Sequence, residues 1–134
     1  MFFKYVRFFI HPIPLMAVIL MAINDHYLKF LFHNWFTGKL SDFLGLFYFP
    51  LFLSAVICLF KYKKLTSKIL ITSIIITDIL FIGIKTNHSF NKFISIILFE
   101  IGVPSLFALD SSDLLALSMN SITFIWAQKF IENN

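Results

Sequence analysis

A chain of 134 residues in which 59% are hydrophobic and 13% charged has the length of one domain, and the composition excludes an ordinary water-soluble one, which carries about 25% charged residues. Mean hydropathy is +0.87, so lipid is the expected solvent for much of the surface. The net charge of +4 does not imply nucleic acid: the one dense basic run, Lys61, Lys63, Lys64 and Lys68, lies between two apolar runs and reads as a topology signal.

Taken in chain order, the first predicted span covers 10-28. Lys4 and Arg7 precede it, and Pro12 and Pro14 fall in its first turn, where a missing amide donor costs little. A signal peptide is disfavoured, because no small-x-small cleavage site follows and the run passes directly into Asn24-Asp25-His26. The second span, 40-60, has one charge, Asp42, and Pro50 is expected to kink it. The third, 66-84, is interrupted by Asp78. Segment 92-109 is apolar enough to cross but holds Glu100, Gly102 and Pro104; span 113-130 is more polar and places Trp126 near an interface. Cys58 is the only cysteine, so no intrachain disulfide is possible.

These segments predict an all-α integral membrane helical bundle, a single domain over 1-134. It has four transmembrane helices with 92-109 re-entrant or interfacial, or five if that segment crosses. Four spans put Lys4, Arg7, the Lys61–Lys68 run and Lys129 on one side, against Lys29, Lys39, Lys85 and Lys92 on the other. The positive-inside rule therefore favours four, with both termini cytoplasmic.

On that topology the acids gather at the outer ends of the helices. Asp25 and His26 close the first span, Asp42 opens the second, and Asp110 and Asp113 open the last. Asp78 lies about 10 Å below the outer end of the third, at about 1.5 Å per residue. The candidate catalytic set is Asp25, His26, Asp42 and Asp113, as acid/base groups or holders of a divalent cation. Lys29, Lys39, Asp78 and Asp110 are candidates for binding a lipid headgroup or lipid-linked phosphate. The expected partners are membrane lipid and a membrane protein or second copy. The alternative is a structural or regulatory membrane subunit without catalysis. Ion or proton translocation would rest on Asp78 alone.

Each group also has a plainer reading. Asp25 and Lys29 form a favourable i, i+4 pair, Asp42 suits an N-cap, and Asp110-Ser111-Ser112-Asp113 resembles a capping box. Asp78 needs a partner inside a span: Lys85, or Asn120 and Ser118. Gly38-Lys39-Leu40-Ser41 is not a P-loop, and His26 and His33 lack zinc-site spacing, so neither metal nor cofactor is implied. Asn87-His88-Ser89 matches a glycosylation sequon, a three-residue pattern of low specificity.

The stretch Asn24-Asp25-His26-x-Leu28-Lys29, followed by Thr37-Gly38-Lys39-Leu40-Ser41-Asp42-x-x-Gly45-Leu46-Phe47 and Phe49-Pro50, resembles a family of small bacterial multi-pass membrane proteins to which no activity is assigned. Asp110-x-x-Asp113-Leu114-Leu115-Ala116-Leu117 fits the same pattern, with Ser111-Ser112 where members often show Pro-Thr. The resemblance implies a bacterial inner-membrane location and brings no function. In architecture the chain is also similar to VanZ-type membrane proteins, though it lacks their Asp-Lys-x-x-His signature.

Overall fold

Side-chain caps and prolines decide where the helices of this chain begin. In the computed structural model, which describes residues 3–102 and 109–134, a short helix α1 (Phe3–Val6) leads into α2 (Pro12–Leu31). The imidazole Nδ1 of His11 accepts the amide of Ile13 at 3.3 Å, and Pro12 and Pro14 occupy the first turn. From Asn24 to Leu28, α2 widens into a π-helical turn, which rotates the residues beyond it relative to a regular α-helix.

Helix α3 (Trp35–Lys61) starts where Asn34 Oδ1 accepts the Thr37 amide at 3.0 Å. That start is five residues before the expected one. Asp42 is consequently two turns inside the helix and is not its N-cap. Tyr62, in the left-handed conformation at φ 51°, reverses the chain at the far end. Helix α4 (Ser67–Thr86) is capped by Thr66 and α5 (His88–Glu100) by Asn87, whose Oδ1 accepts from Phe90 N at 2.9 Å. Helix α6 (Ser111–Glu132) opens as a 3-10 helix over Ser111–Ser118 and continues as an α-helix from Met119. Of segment 92-109, the part to Glu100 is helical; 103–108 lie outside the described residues, and with them the choice between a re-entrant and a spanning path.

Among the described residues there is no strand, and four helices, α2, α3, α4 and α6, are long and apolar enough to cross a membrane. An all-helical bundle with four such helices is what the sequence predicts. Helix α3 is its axis, packed against α2, α4 and α6. Phe47, Leu51, Ala55 and Cys58 of α3 form the core with Ala17, Leu70 and Ala127. Small residues dominate the buried faces of α4 and α6, with Ser73, Thr77, Ala116, Thr123 and Ala127 each under a tenth exposed. Small side chains allow backbones to approach closely, the means by which helices associate without a hydrophobic driving force. The outward face of α4 shows the reverse: Ile71, Ile75, Ile79 and Ile82 are at least 40% exposed.

Pro50 sits inside α3 and has no amide, so the carbonyl four residues back, that of Leu46, loses its helical donor. The Thr123 hydroxyl of α6 reaches Leu46 O at 3.3 Å, with Met119 O and Phe47 O also near it at 3.2 and 3.4 Å. Of the three, Leu46 O is the carbonyl that Pro50 deprives of its i+4 amide. A local defect in one helix thereby becomes a contact between two.

Candidate charged centre at one end of the bundle

Three helices bring four charged side chains into one buried array. Lys39 and Asp42 share a face of α3 at i, i+3; Lys85 is in the last turn of α4; Asp113 is in the first turn of α6. Lys39 Nζ donates to Asp113 Oδ1 at 2.5 Å, and Lys85 Nζ donates to Asp113 Oδ2 at 2.8 Å. Lys85 also reaches Asp42 Oδ2 at 3.2 Å. The side chains of Lys39, Lys85 and Asp113 are 6–8% exposed and that of Asp42 17%. Lys39 additionally donates to Ser112 Oγ at 2.8 Å and lies 5.5 Å from the centre of the Trp35 ring, a cation–π contact one turn back.

Burial at this level would be very costly for any one of these charges alone. Asp113 accepts one ammonium on each carboxylate oxygen, and Lys85 is shared with Asp42, so every charge has an opposite neighbour. Asp110 forms the rim. Half exposed and 3.7 Å from Lys39, it caps α6 by accepting from both the hydroxyl and the amide of Ser112 at 2.7 and 2.9 Å. Those two hydrogen bonds, hydroxyl first, hold its carboxyl below the usual range. The capping box expected across Asp110–Asp113 is thus half present: Asp110 caps, whereas Asp113 is drawn inward to the lysines.

A second polar chain joins α2 to α3. The buried Asn24 amide donates to Thr37 O at 2.8 Å and Ser41 Oγ at 2.7 Å, and the Ser41 hydroxyl donates to Asp25. Asp25 pairs with Lys29 at 2.8 Å, both side chains about 40% exposed, a pair worth about 0–1 kcal/mol. His26 points elsewhere: it is exposed and lines a shallow outward recess with Ala22, Ile23 and Tyr27. Asp78 is also apart from the centre. It accepts from Asn120 across the α4–α6 interface, one of the partners anticipated for it, while Ser118 bonds back to Leu115 O.

The structure therefore assembles Lys39, Asp42, Asp110 and Asp113, sets Asp25 and Lys29 on an adjacent exposed pair, and leaves His26 and Asp78 outside. Lys85 is the member that sequence reasoning placed elsewhere, as a partner for Asp78. Its position one residue past the end of a predicted span, level with the openings of two others, was the available signal. Each carboxylate of the centre faces an ammonium, and among the described residues no three metal-ligating side chains converge. Comparison of the chain with models of known protein families, with curated proteins and with solved structures returns no match.

Proposed function

We propose that the chain is a four-span integral protein of the bacterial inner membrane, in which the Lys39–Asp113–Lys85–Asp42 array locks α3, α4 and α6 together beneath the outer headgroup layer. The observation that carries this reading is the complete mutual pairing of four charges from three helices, three of them buried and Asp42 partly so. In a bilayer, where apolar contact alone does not select one helix position over another, such pairing fixes both which helices meet and at what height. The inverted pattern of α4, with serine and threonine inside and isoleucine outside, supports lipid as the solvent.

Orientation follows from the cations at the two ends. At the lock end Lys29, Lys39 and Lys85 are each paired with an aspartate, and Lys92 is exposed and in no ion pair among the described residues. Lys4, Arg7, Lys61, Lys63, Lys64, Lys68 and Lys129, towards the other end, are in no ion pair among the described residues. The positive-inside rule counts lysine and arginine, seven at this end against four at the lock end, and puts the seven on the cytoplasmic side.

A second reading, binding or processing of a lipid headgroup or lipid-linked phosphate, is favoured by the half-exposed Asp110 beside Lys39. A phosphate displacing Asp113 from Lys39 would convert lock into site. Replacing all four charges by apolar residues (Lys39→Met, Asp42→Leu, Lys85→Met, Asp113→Leu) separates the two, since apolar contact alone does not hold helices in register in lipid. Under a lock the quadruple variant unfolds earlier than the native protein in micelles. Retained folding with an altered lipid profile would instead establish the headgroup role, and retained folding with an unchanged lipid profile would overturn the lock.

A further inference from the structure

We propose that the basic recess at the end of the bundle opposite the lock is a binding site for the phosphodiester headgroup of an anionic phospholipid. Three separate stretches of chain build it, residues 4–8, the 64–65 turn and the last turn of α6, around a volume of about 180 Å³. Lys4, Arg7 and Lys64 stand at its edge, all exposed and in no ion pair among the described residues, and no acidic side chain lines it. Its floor is apolar: Phe8 at 2% exposure, Leu65 at 9%, and Phe130.

The recess is held by contacts of its own. Tyr5 packs edge-on against Tyr62 at 6.3 Å, Phe8 against Phe130 at 6.3 Å, and Lys4 lies 4.8 Å from the Tyr5 ring centre. The chain turns at the left-handed Tyr62, and Lys64 and Leu65 just beyond it line the recess. Arg7, the chain's one arginine, offers the planar fork that matches two oxygens of a phosphate. The apolar floor, with Phe60 82% exposed in the last turn of α3, distinguishes a lipid from a free anion. Phosphate oxygens meet the three cations while the acyl chains run along the helices, and basic pockets between helices on the cytoplasmic side are suited to such headgroups.

The inference rests on the chain being membrane-embedded and is independent of the role given to the lock. Native mass spectrometry of detergent-purified protein, offered equal phosphatidylglycerol and phosphatidylcholine, tests it. The expected result is preferential retention of phosphatidylglycerol. One cation near an anionic surface contributes about fivefold, so Arg7→Gln lowers the preference by about that factor. The triple variant Lys4→Gln, Arg7→Gln, Lys64→Gln lowers it by about a hundredfold. The charge-matched triple Lys61→Gln, Lys63→Gln, Lys68→Gln, whose residues do not line the recess, changes it by less than about fivefold. Equal loss in both triples, no initial preference, or competition by inorganic phosphate would each overturn the assignment. Carbonate extraction of wild-type membranes is the separate control: release of the protein would refute the membrane reading itself.

Discussion

Asp113 is the residue on which the centre turns, because it alone accepts from two lysines on two other helices. Asp113→Ala leaves Lys85 with Asp42 alone and Lys39 with only the half-exposed Asp110 at 3.7 Å. Breaking a buried pair from one side costs about 3–5 kcal/mol, so the variant should unfold earlier by about that amount in denaturant titrations in micelles; a loss under 1 kcal/mol would show that the lysines find other partners. Asp110 behaves differently, since it is a cap at the rim. Its carboxyl is held below its unfolded value, so its contribution is present above the ordinary carboxylate range and is lost as pH falls through the depressed folded value. Asp110→Asn keeps an acceptor oxygen for Ser112 and removes that acid-side loss; thermal melts should show the wild type more stable above the ordinary carboxylate range and the two proteins converging as pH falls through the depressed folded value. Much of this was legible in sequence, because charged residues inside apolar runs are few and must be satisfied. Pairing was not legible. Nothing in the order of residues says that Lys85 meets Asp42, 43 positions away, rather than Asp78 on its own helix.

At the scale of helices, what the sequence conveys is hydropathy, and what it obscures is the exact start. The apolar run suggests an opening at residue 40, yet the Asn34 side chain begins α3 at Trp35 and carries Lys39 and Asp42 inside it. An Asx cap was available to be read there, but Trp35-Phe36-Thr37-Gly38 has no strong helical period to announce it. The π-turn at Asn24–Leu28 is equally silent: it begins at Asn24, whose buried amide bonds to Thr37 O on the next helix, a contact that residue order does not disclose. Pro50 is the opposite case: its presence guarantees a free carbonyl, and the structure supplies Thr123 to meet it. Thr123→Val removes that donor and is expected to cost about 1 kcal/mol, in the range of interhelical hydrogen bonds in membranes. Pro50→Ala restores an intrahelical donor for Leu46 O. The double variant should then lose less than the sum of the singles, with a coupling of about 0.5 kcal/mol or more in a double-mutant cycle; strict additivity would mean that Thr123 serves Met119 O instead.

For the whole molecule the governing relation is between charge placement and the direction in which the chain crosses. The 32–34 turn, the Asn87 turn and the entry to α6 lie at one end, since Lys39, Lys85 and Asp113 touch. The 62–66 turn and the aromatic contacts of Phe8, His11 and Trp126 with Phe130 and each other mark the opposite end. The lock end carries four lysines, three of them paired with aspartates, against seven unpaired basic residues at the other end, and it is the more basic end that resists crossing. Single cysteines in a Cys58→Ser background make this measurable in intact cells with a membrane-impermeant maleimide. His33→Cys and His88→Cys should label from outside, and Lys63→Cys should label only after the membrane is opened. Segment 92-109 enters the same experiment, because a crossing there would separate Asn87 from Asp110. Labelling of His88→Cys and Leu109→Cys from opposite sides would contradict their joint position at the lock, and would require α6 to enter the membrane from the cytoplasm with Asp113 unable to reach either lysine.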